Sequence, residues 1–196
     1  MWQWMVLVGL VVVVAAWVAV TYNGLVALRN KCEEAWSGID VELQRRADLV
    51  PNLVEVVKGY ASHERSTFEA VVAARNAVLA ARGPVEAEAA DSMLTAALRQ
   101  LFVLAEDYPE LKAAGNFLEL QRQLAVIEED IAFSRRYHNA VVEDFNTRVE
   151  TFPTMLVAQP FGFDRRPFFQ LDGGERAAPQ VAFDVPPADA PRTDPL

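Results

Sequence analysis

No side chain among the first 28 residues, Met1 to Leu28, carries a charge. A helix needs about 20 apolar residues to cross the roughly 30 Å hydrocarbon core of a bilayer, and WQWMVLVGLVVVVAAWVAV supplies such a run. Trp2 and Trp4 near one end, and Trp17 and Tyr22 near the other, suit the two headgroup belts where amphipathic rings settle. A cleaved signal fits less well. It has a basic start, an apolar core of about 7–15 residues and a small-residue cleavage site. Here no Lys or Arg precedes the run, and Trp17, Val18 and Val20 fill the cleavage region. The expectation is an uncleaved, single-pass anchor with everything after Arg29 held at a membrane. Arg29, Lys31, Arg45 and Arg46 follow the run and none precedes it. Positive residues stay on the cytoplasmic side. This places Met1 outside and the main domain in the cytoplasm.

Behind the anchor the chain is long enough for one domain with its own core. A net charge of −9 and a pI near 4.8 lack the basic footprint that nucleic acid requires. Cys32 is the only cysteine, so the chain has neither an intrachain disulfide nor a cysteine-based zinc cage. At helical spacing between Leu28 and Trp36, it reads as a small buried hydrophobe.

The rest is helical by periodicity. Leu25, Leu28, Cys32, Trp36, Ile39 and Leu43 alternate by three and four, which marks one helix face. Only Gly24 intervenes after the apolar run, so anchor and first soluble helix form one rod to about Ala47. Asp48 then reads as the N-cap of a second helix, with Pro51 in its first turn, running to the Gly83–Pro84 stop. A third helix covers Glu86 to Glu106. The longest carries Phe117, Leu120, Leu124, Ile127, Ile131, Val141, Phe145, Val149 and Phe152 on one seam, with Ser134 and His138 on the same line and Pro153 as its end. Long amphipathic helices with short connections favour antiparallel neighbours. The expected architecture is all-α: an anchor at 1–28, an up-and-down bundle at 29–152, an aromatic and Pro-rich strap at 153–183, and a disordered tail at 184–196.

Chemical motifs are sparse. A di-iron bundle needs two Glu-x-x-His motifs, but Tyr60 and Arg135 stand where the Glu would precede His63 and His138. His63 reads as a helix-surface residue and His138 as a hydrogen-bonded seam residue. There is no Gly-x-Ser-x-Gly and no phosphate loop. Glu42–Arg46 and Asp144–Arg148 read as i,i+4 pairs on solvated faces. Asp40, at the seam's border, needs a cation, which Arg135 or Arg136 could supply across the bundle. No catalytic residue, metal or cofactor is expected, and no small-molecule substrate is implied.

The strap is the candidate partner-binding element. Phe161, Phe163, Phe168 and Phe169 flank Arg165 and Arg166 between Pro160 and Pro167. Aromatics and Arg dominate interface energies, and the prolines preset an extended path. The same rings could instead cover apolar seams left open by four helices.

YNGLVALRNKCEEAWSGIDVELQRRADLVPNLVEVVKGYASHE, AEDYPELKAAGNFLELQRQLAVIEEDIAFSRRYHNAVVEDFNTRVETFP and FGFDRRPFF, in that order, closely resemble the LemA family of bacterial membrane proteins. The resemblance runs from Tyr22 to about Phe183; the third helix is its variable stretch. His138 separates Tyr137 from Asn139, where members usually have Tyr-Asn directly. The resemblance implies an N-terminal anchor and an antiparallel helical bundle, but no reaction and no catalytic residues to carry over. The leading expectation is a membrane-anchored scaffold or adaptor, not an enzyme, that presents its bundle to protein partners. The alternatives are a self-associating protein that organises or shapes membrane patches and, more remotely, an enzyme acting near the bilayer.

Overall fold

The computed structural model describes residues 1–169, and every regular element among them is a helix. In chain order these are α1 (Trp2–Lys58), α2 (Arg65–Ala80), α3 (Gly83–Glu106), α4 (Pro109–Lys112), α5 (Gly115–Glu150) and α6 (Met155–Ala158). The tail at 184–196, expected to be disordered, and the strap's last part at 170–183 lie outside the described residues.

α1 is one 57-residue helix. Its N-terminal part is long and apolar enough to cross a membrane, and its most apolar window is 0% buried in protein. From Leu25 onward the helix changes role: Leu25, Cys32, Ile39 and Leu43 are buried, and Leu28 and Trp36 half-buried, as their spacing requires. The rod does not end near Ala47, as the sequence reading expected, but continues through Pro51 to Lys58. A proline inside a helix leaves the carbonyl four residues earlier without its donor. That carbonyl belongs to Ala47, and Arg75 Nε of α2 donates to it at 2.9 Å. The orphan is satisfied from outside, so the helix is not broken. Asp48 is therefore no N-cap. The actual break falls at Gly59–Glu64 and places His63 in an exposed turn rather than on a helix.

α5, 36 residues long, lies along α1 in the most extensive helix contact of the fold. Cys32 meets Val141, Trp36 meets His138 and Arg45 meets Asp130, so the two helices run in opposite directions. The seam residues Phe117, Leu124, Ile127, Ile131, Val141, Phe145 and Val149 are buried, but Phe152 is 77% exposed. α5 ends at Glu150, before Phe152 could complete the seam. α2 packs on α1 and on α3. The core divides into a cluster around Ile39–Val57, α2, α3 and the first half of α5, and a second at the anchor end. That second cluster holds Leu25, Cys32, Val142, Phe145, Val149, Val157 and Phe163.

Candidate partner-binding site on the α1–α5 groove

After α6 the chain turns at Gly162, whose φ of 70° favours a residue without Cβ. It then runs extended along α5. Two asparagines of α5 hold it. The Asn146 amide donates to the Arg166 carbonyl and accepts from the Arg166 N–H, at 2.9 and 2.8 Å. Asn139 does the same with Phe169, both bonds at 2.9 Å. A side-chain amide carries the donor and acceptor of a peptide group, so each asparagine pairs with the strap as a neighbouring strand would. The spacings match. Two helical turns cover about 10.8 Å, and the three strap steps from Arg166 to Phe169 cover about 10 Å.

The rings follow from this register. Phe163 is 4% exposed, edge-on to Phe145 and Tyr22 at 6.5 and 5.7 Å, with the Arg29 guanidinium over its face. Phe169 is buried, stacked on Trp36 at 5.9 Å, with Arg135 over its ring at 4.9 Å. Arg166 reaches Glu33 of α1 at 2.9 Å and lies over Phe145. The other three candidates turn outward. Phe161 is 56% exposed with one edge on Tyr22, Phe168 is 38% exposed, and Arg165 is exposed and pairs with Glu150 at 3.0 Å. The six residues thus divide into an inward set (Phe163, Arg166, Phe169) and an outward set (Phe161, Arg165, Phe168).

Beneath the strap's end lies a buried ion network that the sequence reading did not find. Asp91 of α3 accepts from Arg46 of α1 at 2.6 Å and from Arg135 of α5. Arg46 also donates to Thr95 at 3.0 Å and pairs with Glu128 at 2.9 Å. Arg135 does cross the bundle to a carboxylate, as expected, but to Asp91 rather than Asp40; among the described residues Asp40 accepts from Gln44 alone, one turn along its own helix. Likewise Arg46 does not pair with Glu42, whose partner is Arg45. Asp144–Arg148 is formed as expected. Burial raises the Glu128 carboxyl above its usual range despite the attraction of Arg46. The Nε atoms of Arg46 and Arg135 are buried without a partner among the described residues.

His138 is buried edge-on to Trp36, its Nδ1 3.4 Å from Asn139 Oδ1, and burial lowers its pKa. Cys32 is buried with its sulfur 3.8 Å from the Val141 carbonyl, and burial raises its thiol pKa, which keeps it unreactive. Open grooves of about 510 and 530 Å³ lie between α3 and α5, where Arg46 and Glu128 of the network line the wall, and beside Lys58, Arg65 and Phe68. Among the described residues, no three His, Cys, Asp or Glu side chains are grouped to hold a metal ion.

Sequence reasoning missed Asn139, Asn146 and Asp91. The one available signal was the two amides repeating at two turns, each directly after a seam residue of α5.

A family model described as LemA family matches residues 35–183. "Protein LemA" of Metamycoplasma hominis is 27% identical over 158 residues, which is 79% of this chain and 71% of that protein. "Magnetosome protein MamQ 2" of Paramagnetospirillum magneticum is 25% identical over 82% of this chain and 68% of its own length. "Magnetosome protein MamQ" of Magnetospirillum gryphiswaldense is also 25% identical, over 76% of this chain and 64% of its own.

Proposed function

The chain belongs to the LemA family, and from that premise we propose that it is a scaffold or adaptor rather than an enzyme. It holds an up-and-down helical bundle at the cytoplasmic face of the bacterial inner membrane and presents it to other proteins. The continuity of α1 carries this reading. The same 57-residue helix supplies the apolar run and, from Leu25 onward, a wall of the bundle core. No flexible joint separates the two parts, so the bundle's distance and orientation relative to the bilayer are set by the helix itself. A scaffold requires that property.

Recognition falls to the outward side of the strap, where Phe168 and Arg165 project from backbone already fixed by Asn139 and Asn146. An interface built on ordered residues avoids most of the entropy cost of binding. A photo-crosslinking amino acid at Phe168, in cells producing the full chain, tests this. The expected result is one or a few discrete adducts with other membrane-associated proteins, lost on Arg165→Ala. Adducts only with a second copy of the chain would favour the self-associating alternative. No adduct at Phe168 alongside discrete adducts at Phe133, an exposed ring on α5, would move recognition from the strap to the bundle's helical face.

A further inference from the structure

We propose that the turn between α5 and the strap is a second membrane contact, with Phe152, Leu156 and Phe161 dipping into the lipid interface beside α1. This rests on the anchored reading and adds to it a lipid surface as the partner of one end of the domain.

Register places this turn. Cys32 lies opposite Val141 and Trp36 opposite His138. Carried on at the same pitch, the pairing sets Glu150 level with the Asn23–Gly24 stretch of α1, just outside the apolar run. Beyond Glu150 the chain does not turn away. The Phe161 ring lies 5.1 Å from that of Tyr22. Val18, inside the apolar run, packs against the cluster that contains Leu25, Val149, Val157, Ala158 and Phe163. If Trp2–Thr21 fill a core of about 30 Å at 1.5 Å per residue, Val18 sits roughly one turn inside it. The turn therefore shares its solvent with the end of the anchor.

Its surface suits that solvent. Phe152 is 77% exposed, Leu156 57% and Phe161 56%, three large apolar side chains within ten residues at one end of an acidic domain. Of the charged neighbours, Arg165 pairs with Glu150 at 3.0 Å and Arg29 lies over the Phe163 ring. Interfacial segments bury an apolar face about 5–10 Å deep while keeping such charges at headgroup level. The seam missed Phe152 because α5 stops short of it; the membrane accounts for what the core leaves exposed.

The test uses the full chain with Cys32→Ala, reconstituted in phosphatidylcholine–phosphatidylglycerol vesicles, with a fluorophore at one new cysteine and nitroxide either on the headgroup or deep in the acyl chain. Phe152→Cys and Leu156→Cys, both exposed positions, report the turn. Leu10→Cys reports the anchor, and Val103→Cys, exposed on α3 towards the other end of the bundle, reports water. The expected result is headgroup quenching at 152 and 156 about twofold or more above that at 103, with deep quenching only at 10. Quenching at 10, with 152 and 156 no different from 103, would overturn the second contact and leave the anchor standing. A blue-shifted but unquenched probe at 156 would assign the turn to a protein neighbour instead. No quenching at 10 would remove the anchored reading and this inference with it.

Discussion

Asp91→Ala should lower the stability of the detergent-solubilised protein by about 3–5 kcal/mol, the usual cost of leaving a buried charge without its partner. Among the described residues Asp91 is the only carboxylate paired with both Arg46 and Arg135, and all three lie largely out of water. Its removal leaves two guanidinium groups facing each other, with Glu128 alone to neutralise them. A whole domain is stable by only about 5–15 kcal/mol, so the variant should sit near the edge of folding. The control separates charge from fold. Arg46→Met, Asp91→Leu and Arg135→Met, with Glu128→Gln to neutralise the carboxylate that Arg46 otherwise pairs, should recover much of the loss, because replacement of a whole buried charge network is often neutral or stabilising. A chemical denaturation midpoint for Asp91→Ala within error of the wild type would show that the network bears no such weight.

Asn139→Ala with Asn146→Ala should free the strap. The pair makes four hydrogen bonds to strap backbone, each worth about 0.5–1.5 kcal/mol net. Their loss removes about 2–6 kcal/mol from docking and leaves the Phe163 and Phe169 rings to hold the segment. Amide hydrogen exchange reads this directly, since each 1.4 kcal/mol is about a tenfold change in the open population. The Arg166 and Phe169 amides should exchange about thirtyfold to ten-thousandfold faster, while Ile131, buried mid-seam, keeps its protection. Unchanged exchange at Phe169 would show that the rings alone hold the strap. The two predictions are coupled through Arg135, which bonds Asp91 and covers the Phe169 ring. Asp91→Ala should therefore also loosen Phe169, and effects of the two sets should not add.

The parts visible in the sequence were those governed by local pattern. The stripe from Leu25 to Leu43 and the seam from Phe117 to Val149 are buried because 3.6-residue periodicity leaves no other face for them. His138 and Cys32 could be assigned to the core on the same ground. What failed depended on a partner distant in sequence. Pro51 looked like a helix start because nothing local offers Ala47 a donor; Arg75, on another helix, does. Asp40 looked like the partner of Arg135 because both border seams, whereas the carboxylate that Arg135 meets comes from α3. Coverage of the bundle by the strap's rings was one of two readings the sequence left open, and which rings face inward was not among them. That depends on the two-turn spacing of Asn139 and Asn146 meeting a three-residue step of extended chain, and no single-segment pattern contains both.

We propose that α1 remains attached and holds the bundle on the cytoplasmic side of the membrane. Labelling of intact cells with a membrane-impermeant thiol reagent tests it, in full-length Cys32→Ala carrying either Gln3→Cys or Val103→Cys. The predicted result is label at residue 3 in intact cells, label at residue 103 only after permeabilisation, and full-length protein in the membrane fraction for both. Label at 103 with protection of 3, or a shortened chain released from the membrane, would contradict it.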